Sequence, residues 1–153
     1  MQSVWIGVAE RASLAREADR MSPRETGGIL MGYRGAGETI VIARVVGPGP
    51  NAVHGYGFFV PDHEYHEREV ASIYENSGRQ WTYLGDWHSH PGGSADLSKS
   101  DRRTLRRIAK SPEARATAPL MLVLAGGKPW EVAVHRAIRT RWRIRFETLA
   151  LTQ

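Results

Sequence analysis

In the stretch W-H-S-H-P-G-G-S-A-D-L-S-K-S-D, Trp87 to Asp101, two histidines stand one residue apart, followed by a glycine pair and then S-x-x-D. Few local patterns restrict a fold as much. Residues i and i+2 of a β-strand point to one face, so a strand through His88 and His90 sets two imidazoles side by side and turns Ser89 away. Asp101 lies eleven residues beyond His90, across Gly92-Gly93. A glycine loop can fold back there, and the first turn of a following helix can aim the carboxylate at the two rings. The chain must therefore run strand, loop, helix, with the end of the strand meeting the start of the helix.

Two imidazoles and a carboxylate fill three corners of a tetrahedron. The open fourth corner marks a catalytic zinc site, because structural sites close all four positions with protein ligands. The chain has no cysteine, so disulfides, thiolate clusters and a cysteine nucleophile are excluded together, and any metal must take nitrogen and oxygen ligands. A zinc site lowers the pKa of its water to about 7, but a base must still move the proton. Glu25, in R-E-T-G-G-I-L-M-G, is the acid assigned to that task. Ser98 is the N-cap of the helix, with Asp101 at its third position, and its hydroxyl is the candidate donor to an oxyanion.

The rest of the chain supplies the frame. With 153 residues, one domain spanning 1–153 is expected. Apolar positions Val8, Ala12, Ala15, Ala18 and Met21 predict a first helix, stopped at Ser22-Pro23. Gly27 to Tyr33 and Thr39 to Val46 read as a hairpin turning at Gly35-Ala36-Gly37, and Gly47 to Gly57 reads as a loop. Asp62 caps a helix to about Asn76, Trp81 to His90 is a strand, and the helix after Ser98 runs to about Lys110. Leu120 to Ala125, Glu131 to Ile138 and Arg141 to Leu149 read as three strands, the last with Arg141, Arg143 and Arg145 alternating with Trp142, Ile144 and Phe146. This order predicts the α/β class: a mixed sheet with helices packed on it.

No apolar run approaches the roughly 20 residues of a membrane helix, and the N-terminus lacks the basic and apolar regions of a secretory signal, so a soluble, cytoplasmic protein without membrane partners is expected. The net charge of +5 reflects either an acidic partner or an arginine-rich composition. A nucleic-acid- or protein-binding module with a structural metal is the alternative of another class. Its support is the arginines at 102, 103, 106 and 107 and at 141, 143 and 145, and the lack of stacking aromatics among them counts against nucleic acid. His63 and His66 miss the H-E-x-x-H spacing by one position and read as a polar helix face. His54 and His135 have no partner at ligand spacing and read as structural. A zinc nucleobase deaminase needs P-C-x-x-C, which a chain without cysteine cannot supply.

Taken together, Glu25, H-S-H-P at His88 to Pro91, seven residues from Pro91 to Leu97, and S-x-x-D at Ser98 to Asp101 resemble the signature of the JAMM (JAB/MPN) metalloproteases. The resemblance runs from the first helix to the strand after Ser98. It implies a JAB/MPN, cytidine-deaminase-like mixed sheet flanked by helices, with one zinc held by His88, His90 and Asp101, Glu25 as general base and Ser98 as oxyanion donor. It further implies peptide or isopeptide hydrolysis after the C-terminal glycine of a ubiquitin-like protein. Bacterial members resemble deconjugating enzymes of antiphage operons that encode E1-like and E2-like proteins and, in some, a cyclic-nucleotide synthase; others trim sulfur-carrier proteins. Where eukaryotic members carry G-W-Y before the histidines, this chain has Gly85, Asp86 and Trp87, and Asp86 reads either as a partner behind the ligands or as a solvated acid. The compact chain leaves recognition to short segments, first among them Gly47 to Gly57.

Overall fold

The computed structural model describes residues 2–116 and 118–153. The chain order is β1 (Ser3–Ile6), α1 (Val8–Met21), β2 (Gly27–Arg34), β3 (Thr39–Val46), β4 (Val53–His54), β5 (Phe59–Val60), α2 (His63–Asn76), β6 (Thr82–Pro91), α3 (Lys99–Lys110), β7 (Leu120–Gly126), β8 (Trp130–Arg139) and β9 (Ile144–Thr152). Seven strands form one mixed sheet in the order β1-β3-β2-β6-β7-β8-β9, and it closes on itself because β1 also pairs with β9. β1 runs parallel to both of its neighbours, and β6 runs parallel to β7.

The expected mixed sheet with flanking helices is present, and its closure was not foreseen. β1 has only four residues, too few to show a period. Its Val4 and Ile6 are buried while Trp5 points outward, and its partners lie at 39–42 and 150–152, far away in sequence. The segment read as a loop from Gly47 contains β4, which pairs with β5 in a small separate hairpin. At the other end of the chain, β9 starts three residues later than expected. Thr140 and Arg143 bond to each other around a turn, which leaves Trp142 85% exposed instead of half-buried in a strand.

The sheet is apolar on both faces. α1 packs Leu14 and Ala18 against the face that carries Leu30, Trp87 and Leu122. α2 brings Ile73, with Val70 and Tyr65, onto Ile29 and Met31 of the opposite face, where α3 brings Leu105 and Ala109 onto Met121 and Val123. Alternation along β6 therefore sends Trp87 toward α1 and leaves His88 and His90 on the side of α2 and α3. Gly28 lets this packing happen. A side chain there would meet Val46 O at 1.9 Å and the Trp87 indole nitrogen at 2.6 Å, the same nitrogen that donates to Val46 O at 2.9 Å.

Candidate metal centre

β6 lies between β2 and β7, and its pairing with β2 sets the site. Gly27 is opposite His88, which brings Glu25 and Thr26 beside the end of β6. Ser89, turned away from the histidines, makes that junction rigid: Thr26 N–H donates to its Oγ at 2.9 Å, and its own N–H donates to Thr26 O at 2.9 Å. Both residues are fully buried. The Glu25 backbone is pinned from its other side by the β4–β5 hairpin, its N–H donating to Gly55 O at 2.8 Å and its carbonyl accepting from His54 Nδ1 at 2.9 Å. The Phe59 ring then packs against both His54 and His88, at centroid distances of 5.4 and 5.8 Å.

From the far side of the loop, α3 delivers Asp101 through its N-terminal cap. Ser98 Oγ accepts from Asp101 N–H at 3.0 Å while Asp101 Oδ2 accepts from Ser98 N–H at 2.9 Å, the reciprocal capping box. The same carboxylate faces the histidines, with Oδ1 3.1 Å from His88 Nδ1 and Oδ2 3.2 Å from His90 Nε2. His90 Nδ1 donates to Ser94 O at 3.0 Å, which leaves Nε2 turned toward Asp101 as the free nitrogen. His135 steadies the loop below by bonding Ala95 O at 2.7 Å and Thr148 Oγ1 at 2.9 Å. The structural reading of His54 and His135 agrees with these bonds.

Thus the structure gathers Glu25, His88, His90 and Asp101 at one point, with Ser98 one helical turn away on the cap. One ligand atom from each of His88, His90 and Asp101 lies within 4.8 Å of the others. His88 Nε2 is buried with no hydrogen bond, although Glu25 Oε2 stands 3.2 Å away. A buried nitrogen lone pair in this condition calls for a proton or a cation. Two imidazoles and a carboxylate are also a donor set that suits zinc, so the residues fit a metal of that type.

Electrostatics express the same demand. Burial opposes charge on His88, but the neighbouring carboxylates of Asp101 and Glu25 outweigh it and raise its pKa to about 9. The bond to Asp101 raises His90 against a smaller cost of burial. Burial pushes Asp101 up, yet the two histidines together hold it well below the usual carboxylate range.

A cleft of about 700 Å³ opens from His88 between α2 and α3, with Phe59 and Val60 at one end and Ile29, Val70, Ile108 and Met121 among its apolar lining. Asp86 is half-buried and lines it. Tyr83 Oη donates to its Oδ1 at 2.5 Å, and burial raises its pKa even against that bond. His66 needs a correction. It is 8% exposed, and its Nε2 donates to Gly47 O at 2.8 Å, tying α2 to the preceding segment, while His63 alone keeps the polar face. The helical period placed both on one stripe, and only the packed loop distinguishes them. Ser89, Phe59 and Tyr83 carry no sequence signal of their roles, which arise from contacts between distant segments.

The chain is similar to known proteins. A family described as prokaryotic homologs of the JAB domain matches residues 8–145. The chain belongs to that family. Over 125 residues, covering 81% of this chain and 76% of the relative, this JAB domain is 41% identical to a protein named probable metalloprotease y4qB from Sinorhizobium fredii. Over 146 residues, covering 92% and 77%, it is 26% identical to a CD-NTase/cGAS isopeptidase from Enterobacter hormaechei. In fold, it superposes on the solution structure of protein DSY2949 from Desulfitobacterium hafniense with a TM-score of 0.68 at 20% identity, covering 98% of this chain and 93% of the other. The JAB domain described here is a metal-dependent peptidase.

Proposed function

We propose that the protein is a zinc isopeptidase or peptidase that hydrolyses the amide bond after the C-terminal glycine of a ubiquitin-like protein. The observation that carries this reading is the cluster of Glu25, His88, His90 and Asp101, whose His88 also lines a cleft of about 700 Å³. His88, His90 and Asp101 would hold the metal, which supplies Lewis acidity toward water and the scissile carbonyl. Glu25, pinned through its backbone at both N–H and carbonyl, takes a proton from the attacking water at its carboxylate and passes it to the departing amine. Ser98 Oγ already accepts from Asp101 N–H, so its own hydrogen is free to meet the charge developing on the carbonyl oxygen.

Recognition is assigned to the β4–β5 hairpin and the segment before it. Tyr56, Phe58 and Val60 are exposed there, next to the residues that pin Glu25. Membership in a CD-NTase-associated antiphage operon, with E1-like and E2-like partners, is the favoured setting, because three similar proteins are named CD-NTase/cGAS isopeptidases. Among the described residues no helix is long and apolar enough to cross a membrane.

The test is intact-mass spectrometry of a ubiquitin-like protein extended or conjugated at its C-terminal glycine, incubated with the enzyme with and without a chelator. Chelator-sensitive cleavage directly after that glycine is expected. In Glu25→Gln, turnover is expected to fall by about 10²- to 10⁴-fold while metal content by elemental mass spectrometry is unchanged. Full activity in that variant would remove Glu25 from the mechanism.

A further inference from the structure

The three helices differ in the sign of their surfaces. α1 sets Glu10, Glu17 and Asp19 against Arg11, Arg16 and Arg20, and α2 carries Glu64, Glu67, Glu69 and Glu75 against Arg68. α3 carries Lys99, Arg102, Arg103, Arg106, Arg107 and Lys110, and its one acid is the buried Asp101. An arginine-rich composition does not explain this, since the same chain balances α1 and makes α2 acidic. Along α3, Lys99 and Arg103, Arg102 and Arg106, Arg103 and Arg107, and Arg106 and Lys110 stand as like charges four residues apart, each pair weakening the helix. Elsewhere some cations find acids, as Arg20 does in Glu17, Arg79 in Glu75, Lys128 in Asp19 and Arg136 in Glu147. Among the described residues no such ion pair relieves any of the six cations of α3.

Two of these cations are also held in place. The guanidiniums of Arg102 and Arg106 each lie 5.0 Å from the centroid of the Phe146 ring, so cation–π contact presents them as a fixed pair. The helix starts at the metal centre, and Thr104, Arg107 and Ile108 form one wall of the cleft while His63 and Glu67 of α2 line the other. The mouth of the cleft is therefore bordered by a positive helix and a negative one.

We propose that the solvent face of α3 docks an acidic patch on the folded body of the substrate protein whose C-terminal tail enters the cleft. This rests on the function proposed above and adds the surface that selects the substrate. Charge complementarity names a folded protein over a nucleic acid. Phe146 is covered by guanidiniums and offers no stacking platform, and acidic α2 repels a continuous polyanion laid across the mouth.

The experiment compares three substrates with one shared tail: an acidic ubiquitin-like domain, the same domain with its surface acids changed to amides, and the isolated tail peptide. In the double variant Arg102→Glu/Arg106→Glu, KM for the acidic domain is expected to rise about 10-fold or more, with kcat/KM for the peptide within about 2-fold of wild type. For the wild type, raising salt from about 50 to about 300 mM should raise KM for the acidic domain and leave the peptide unaffected. Arg102→Gln/Arg106→Gln, with melting temperature checked, covers the case in which charge reversal unfolds the helix. Equal effects on domain and peptide, or no effect on the acidic domain, would overturn the docking surface. Fluorescence anisotropy of the labelled acidic domain with Glu25→Gln protein provides an arm independent of turnover. Binding there that charge reversal abolishes, without cleavage of any substrate, would uphold docking and sink the proposed reaction. Tighter binding of a 20-nucleotide single strand than of the acidic domain would overturn the choice of partner.

Discussion

At the scale of single residues, Ser98 joins two tasks that substitution can separate. As the N-cap it accepts from Asp101 N–H, and as a hydroxyl it has a hydrogen left to donate. Ser98→Ala removes both and is expected to lower stability by about 1 kcal/mol, whereas Ser98→Gly keeps most of the cap, losing a few tenths of a kcal/mol. If the hydroxyl meets the oxyanion, both variants lose about 10²- to 10³-fold in kcat. A rate that tracks melting temperature across the pair would leave Ser98 as a cap alone. The titrating groups make a second prediction, for chelated protein. His88 is raised to about 9, so the stability it contributes is complete below its unfolded pKa of about 6.5 and is lost as pH rises through about 9. Asp101 is lowered, so its contribution is complete above about pH 4 and is lost as pH falls through its folded range. Metal-free protein should melt highest between about pH 4 and 6.5, and a flat melting profile from about pH 6 to 10 would contradict the ion cluster. Metal uptake near neutral pH should release protons, visible as a buffer-dependent calorimetric enthalpy.

At the scale of elements, the site depends on how β2 and β6 are joined. Ser89 contributes nothing to the metal centre directly, yet it holds Thr26 and through it Glu25. Ser89→Ala leaves the buried Thr26 N–H without a partner, which should destabilise the protein by about 1 to 3 kcal/mol. It should also lower kcat while leaving bound metal unchanged, because the ligands sit on the opposite face of β6. Unchanged kcat would show that the β4–β5 hairpin positions Glu25 without help from this junction. The elements themselves were largely readable in advance. α1, α2 and α3 have the expected spans and Asp62 and Ser98 accept at their N-termini as expected, since helical periodicity and caps are local properties. β4 and β5 escaped because two-residue strands have no period to show.

At the scale of the whole molecule, closure of the sheet depends on β1. Ile6 is 2% exposed in the core that also holds Leu14, Leu30 and Trp87. Ile6→Ala is expected to cost about 2 to 5 kcal/mol, read as a lower denaturation midpoint, with kcat of the folded enzyme retained. A cost under about 0.5 kcal/mol would mean that the closing strand is dispensable to the core. The sequence by itself determined the class of fold and the helices, and it named Glu25, His88, His90, Ser98 and Asp101 as candidates, because strand alternation and capping act over a few residues and donor chemistry is written in the residue types. Only the tertiary structure decided that β1 closes the sheet, that Ser89 and His54 hold Glu25, that His66 is buried and that α3 presents an unpaired cationic face beside the cleft. Those facts depend on segments far apart in the chain meeting at hydrogen-bond and ion-pair distances, and no local pattern records which segments will meet.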